Sequence, residues 1–252
     1  MTDFPVVLTT AVDNTTDALA KHLNNLEAKV GINQSAVTTS LDYWMRTGWV
    51  SGLRTWVYVG IHSFKIEGVD VTSEFPKGTK IRYKQGGDFE YGTVVLSAFS
   101  TDTTITMATN SNYELAEAAI TDNYYSLASS PIGFPNYFSW TPVLDGFSTN
   151  PSISTYTFSL NGTVCHVEIS QGGDGTSDAT NFTITLPISF GGVGDVWGAC
   201  GFTKDNGANL AGAGYRISAA LSTLVTIYSD MTTGAWTASG AKRTRLATSY
   251  II

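Results

Sequence analysis

His166 and Glu168 stand two apart in TVCHVEIS, where strand alternation puts both on one face and Cys165, Val167 and Ile169 on the other. An imidazole and a carboxylate side by side could act as an acid/base couple or as a ligand pair. On the outer face of a strand they are a solvated polar pair, the reading favoured here. The other histidines, His22 and His62, fall in different segments. GGDGTSD (172–178) sets Asp174 and Asp178 in a glycine-rich stretch, but it lacks the alternating acidic run of a calcium loop and reads as a long turn. A glycosidase would need two carboxylates about 5–10 Å apart. Asp145, Asp174, Asp178, Asp195 and Asp205 are the loop candidates, and no motif pairs any two of them. FGGVGDVWG (190–198) has glycines without the strand–loop–helix frame of a nucleotide site. Trp197, Tyr215, Tyr228, Trp236 and Tyr250 could form a sugar-stacking platform or pack a core. Cys165 and Cys200 have no metal-ligand spacing and are expected to be buried, reduced and inert.

These residues need elements to position them. Val12, Thr16, Leu19, Leu23, Leu26 and Val30 follow the a/d alternation of a heptad, ending at Gly31. A helix of that length is about 28 Å long and is marginal alone, so the seam is expected to join subunits. SAVTTSLDYWM then sets Val37, Leu41 and Trp44 on a second short helical face. From Thr55 the period falls to two. TWVYV, SFKIEG, TKIRYKQ, EYGTVVLSAF and TTITMAT read as strands of a small β-barrel-like module, with a helical turn or two at 113–120. Next comes an aromatic, proline-rich strap at 131–140, in which Phe134, Tyr137, Phe138 and Trp140 call for burial. It is a second candidate for contact between subunits. In 141–252 the segment ISTYTFSL-NG-TVCHVEIS is a hairpin turning at Asn161-Gly162. NFTITLP, DVWGACGF, AGYRISAAL, LVTIYSD, GAWTAS and RTRLATSYII complete an antiparallel β-sandwich of jelly-roll type. The expected organisation is therefore mainly β: a helical segment at 1–48, a β module at 49–130, the strap, and the sandwich.

Composition narrows the function classes. Only 14% of the 252 residues are charged, and the net charge is −7. Lys242, Arg243 and Arg245 form the one basic cluster; alternation sends the two arginines to one side and the lysine to the other, a solvated strand and not a nucleic-acid footprint. No apolar run reaches the ~18 residues of a membrane span, and MTDFPVVLTTAVDN lacks the basic start of a secretory signal. No cofactor, metal, nucleic acid or membrane insertion is expected.

The order of LN-LEAKVG, SAVTTSLDYW, FKIEGVDVTSEFPKGTKIRYKQ, IGFPNYFSW and a Gly/Ser/Thr-rich β segment resembles the tail-fibre and receptor-binding proteins of tailed bacteriophages. The resemblance implies a non-enzymatic virion structural protein, a homotrimer made in the bacterial cytoplasm. Its first segment would meet other virion proteins, and its last would meet a host-surface glycan or protein. A neck- or capsid-anchored fibre with an architectural role is the alternative, and a glycan-binding or glycan-cleaving domain the second. No active-site residue carries over from the resemblance.

Overall fold

The computed structural model describes residues 29–30, 36, 38–152, 154–219 and 223–252. They are mainly β, with 45% strand against 6% helix. Of the seam, Val12, Thr16, Leu19, Leu23 and Leu26 lie outside the described residues, as do Val37 and His22; Val30 is helical and 37% exposed. Contacts divide the chain into two compact units, one running to Ile105 and resuming at Leu115–Phe134, the other made of Thr106–Glu114 and Pro135–Ile252. The strap at 131–140 is thus shared between them.

The first unit opens with helix α1 (Leu41–Thr47), capped by the Ser40 hydroxyl, which accepts from the Tyr43 N–H at 3.2 Å, and closed by Gly48 at φ 78°. Seven strands follow: β1 (Val50–Ser51), β2 (Val57–Gly60), β3 (Ser63–Ile66), β4 (Lys80–Lys84), β5 (Phe89–Phe99), β6 (Thr103–Ala108) and β7 (Thr121–Ser126). They form one sheet in the order β1-β7-β4-β5-β6-β3-β2. Among the described residues the order is open, with β1 and β2 at its edges, where the sequence suggested a barrel. β7 lies outside the five strands that alternation picks out, and the helical turns expected at 113–120 are absent: one 3₁₀ turn spans Ser111–Tyr113 and extended chain follows. Asn110 caps that turn, and the extended piece is tied down by Gln85, whose amide donates to the carbonyls of Ala116 and Ala118, both at 2.9 Å. Those two bonds replace the helix's own.

Both faces of β4 are covered. Ile81 and Tyr83 are fully buried on one side. Lys80 and Arg82, which alternation assigns to water, are buried too, because aromatic rings close over them. The Arg82 guanidinium lies 4.6 Å from the Trp49 ring and 4.3 Å from those of Phe89 and Tyr124, and donates to the Tyr43 hydroxyl of α1 at 3.2 Å. The Lys80 ammonium sits 5.1 Å from Phe134. Trp49 in turn donates its Nε1–H to the Ile132 carbonyl at 2.8 Å, which binds the start of the strap to this face. Elsewhere in the unit Trp56 stacks on Phe64 at 4.2 Å, with Phe75 against both.

The second unit is built of β8 (Phe138–Ser139), β9 (Leu144–Asp145), β10 (Phe147–Thr149), β11 (Ser154–Asn161), β12 (Val164–Gln171), β13 (Gly175–Ser177), β14 (Thr183–Thr185), β15 (Val196–Ala199), β16 (Phe202–Asp205), β17 (Ala208–Asn209), β18 (Gly214–Ile217), β19 (Leu224–Tyr228) and β20 (Ala241–Ile251). One antiparallel sheet runs β10-β13-β20-β12-β11-β8, with β16 and β17 joined through β20; a second runs β15-β18-β19-β14-β9. The inner face of the first carries Phe158, Leu160, Cys165, Val167, Ile169, Leu246 and Tyr250, all buried as alternation requires. The inner face of the second carries Ile184, Ile217, Val225 and Ile227. The two inner faces meet where the Tyr215 hydroxyl donates to Thr248 Oγ1 at 2.8 Å and Phe147 packs on Phe182 at 4.8 Å.

Several strand assignments shift. The Asn161-Gly162 hairpin is displaced by one residue: Asn161 pairs with Val164, so the loop is Gly162-Thr163, with Gly162 at φ 59°. GAWTAS is loop, although Trp236 is buried and donates to the Ile227 carbonyl at 2.6 Å. GGDGTSD contains β13, not only a turn, and DVWGACGF divides into β15 and β16 in different sheets. Within the strap Phe138 is buried and pairs with Phe158, whereas Tyr137 stays 63% exposed.

Candidate functional site

The aromatic set separates into two groups. Tyr215, Trp236 and Tyr250 are buried and serve the core; the Tyr250 hydroxyl donates to the Ile188 carbonyl at 2.7 Å. Trp197 and Tyr228 instead meet on the outer face of the five-stranded sheet. Their rings stack with centroids 5.9 Å apart and planes 19° from parallel, and Trp197 is 44% exposed. Strand pairing brings them together. Trp197 on β15 lies opposite Arg216 on β18, which lies opposite Thr226 on β19, while Gly214 separates Ala199 from Tyr228 one pleat further on. Any Cβ at Gly198 would fall 2.4 Å from the Tyr215 hydroxyl, so a glycine is required behind the platform.

Arg216 and Asp195 brace this surface. The guanidinium carbon is 5.3 Å from the Trp197 ring centre, and its Nε bonds to Asp195 Oδ2 at 2.9 Å. Tyr228 first, and then Asp195, hold the positive charge, shifting the Arg216 pKa upward. Asp195 also accepts from the Ala219 N–H at 3.1 Å, and that bond chiefly keeps its carboxyl below the usual range. Across the same outer row lie Thr226 and Thr183, and Thr183 is paired with Asp145. The surface thus offers a flat ring pair, one ion pair and a line of hydroxyls, the kit for stacking on a sugar ring and hydrogen-bonding its rim.

The remaining acids are occupied in structural ties. Asp174 pairs with Lys204 and, at 3.2 Å, with Arg243 Nε. Asp205 is buried, and its Oδ2 accepts from both the N–H and the hydroxyl of Thr237 at 3.0 Å. Asp178 lies just beyond β13, where its charge acts on Lys242. Among the described residues no group of three or more His, Cys, Asp or Glu could hold a metal ion. The FGGVGDVWG glycines lead straight into β15, with no helix after them.

The basic cluster holds a residue whose surroundings the sequence did not reveal. Arg243 and Arg245 point to the outer side as alternation expects, but Lys242 is fully buried among Phe147, Phe182 and Trp236, 5.1 Å from the last, and donates to the Ala179 carbonyl at 3.1 Å. Burial lowers its pKa, opposed by Asp205 and Asp178. Of the thiols, both expected to be buried, Cys165 is, and its pKa is pushed up to about 11 by desolvation; Cys200 is only half-buried, and desolvation shifts it the same way. Both are free.

His166 and Glu168 are exposed on the outer face of β12, and His166 Nδ1 lies 2.7 Å from Ser249 Oγ on β20. They line a groove of about 450 Å³ with Tyr137 at one side. His62 belongs to the first unit and takes no part. Comparison with protein-family models, with curated proteins and with solved structures gives no match.

Proposed function

We propose that this chain is a non-enzymatic structural protein of a tailed-bacteriophage virion: a homotrimeric fibre that attaches to the host surface through its second unit. The seam from Val12 to Val30 joins the three chains and docks on other virion proteins. The two sheets of the second unit form an outward-facing sandwich of jelly-roll type. The stack of exposed Trp197 on half-buried Tyr228 carries this reading. A tryptophan presents more flat apolar surface than most side chains, and stacked on Tyr228 it makes a platform that the face of a ring can cover. The CH face of a sugar ring suits it, with Arg216, Asp195 and Thr226 in reach of the hydroxyls. One such contact is weak; three on one fibre, at high effective concentration, give firm attachment. The structural ties of Asp174, Asp195 and Asp205 favour binding over hydrolysis.

The test is binding of the purified protein to immobilised bacterial surface polysaccharides. Trp197→Ala is expected to lower the affinity of each contact about tenfold, or about 1.4 kcal/mol, with sedimentation and thermal unfolding unchanged. Undiminished binding would remove the platform from the attachment role. Release of reducing ends, abolished by Asp174→Asn or Asp195→Asn, would make the protein an enzyme.

A further inference from the structure

The outer face of the eight-stranded sheet holds a second built surface, distinct from the Trp197 platform. Register aligns Ser159 on β11, His166 on β12 and Ser249 on β20 in one row, and Thr157, Glu168 and Ala247 in the next. Phe138 turns into the core and Tyr137, its neighbour, turns out, so the exposed Tyr137 ring stands at the β8 end of these rows. The short side chains of Thr157, Ser159 and Ala247 leave the floor low. Three inter-strand steps make the surface about 14 Å across, room for two or three sugar rings.

We infer that this groove binds a neutral oligosaccharide, with one ring stacked on Tyr137 and a pair of adjacent hydroxyls donating to Glu168. Glu168 is the one carboxylate lining the groove, and no lysine or arginine lines it. A carboxylate accepts hydrogen bonds and donates none, so it selects hydroxyl donors and repels uronic or sialic acids. His166, fixed against Ser249, presents its Nε2 edge to the same ligand. The platform would bind independently, since it lies on the other sheet.

Calorimetric titration of the full chain tests this with tetrasaccharides of glucose, galactose and mannose, and with tetragalacturonate. At least one neutral tetrasaccharide should bind, with no binding of tetragalacturonate. In a Trp197→Ala background, which removes the platform, Tyr137→Ala and Glu168→Ala should each weaken that binding tenfold or more. The inference is overturned if no neutral tetrasaccharide binds, if tetragalacturonate is preferred, or if both groove variants bind like the parent. A fall in sedimentation coefficient on Tyr137→Ala would also overturn it, because a second copy of the chain would then occupy the groove.

Discussion

Two buried lysines and a buried arginine set the chemistry of this molecule at the residue scale. Each enters the interior under aromatic rings, which return part of the lost hydration through their π faces. For Lys80 the return is incomplete, and burial lowers its pKa from 10.5 to about 8. Below pH 8 the amine is charged in both folded and unfolded chains, and the penalty is fully present. Between about 8 and 10.5 the native chain has shed the proton that the unfolded chain still holds, so stability rises with pH through this window. Lys80→Met should therefore stabilise the chain at pH 7 by about 1–2 kcal/mol in urea unfolding, after loss of the Phe134 contact, and the gain should shrink toward zero near pH 10.5. A gain independent of pH would mean that packing, not charge, limits the site.

At the element scale the β11–β12 hairpin is the clearest local unit. Gly162 sits at φ 59° in open space, where an added Cβ would touch nothing within 4 Å. The cost of Gly162→Ala is then purely conformational, about 1 kcal/mol by urea unfolding. This hairpin was legible because alternation on both strands and a glycine between them agree; only the turn's register was off, by one residue. The Cys165, Val167 and Ile169 face and the outward arginines of β20 were readable for the same reason. The very short strands β8, β9, β10 and β13 were not, because two or three residues carry no period and form through partners distant in sequence. The buried positions of Lys80, Arg82 and Lys242 were hidden for a related cause: alternation names a face, but only tertiary packing decides whether rings cover it. Likewise, five aromatic residues were visible as a set, while the strand register that brings Trp197 to Tyr228 was not.

At the scale of the whole molecule, the proposed trimer makes the strongest demand. α1 leaves Leu41 and Met45, one turn apart, 46% and 78% exposed, a short apolar strip on its outer side. Burying one leucine contributes roughly 2 kcal/mol, so charging two in every chain should exceed what the seam supplies. Leu23→Asp with Leu26→Asp is expected to lower the sedimentation coefficient to that of a monomer. A monomeric parent, or a double variant that sediments like the parent, would end the proposal.

β20 supplies the middle of the eight-stranded sheet, pairing with β12, β13 and β16, yet it is the last of these in chain order. During synthesis β12 must wait for a partner some 70 residues downstream, roughly 4–14 s at ribosomal speeds. Throughout that interval it exposes an unpaired edge with a row of apolar side chains and only one acidic residue, Glu168, along it. Neighbouring nascent chains on one message carry the same edge and, in time, the same β20. Correct assembly is therefore a race between a strand's own late partner and an identical strand from the chain beside it.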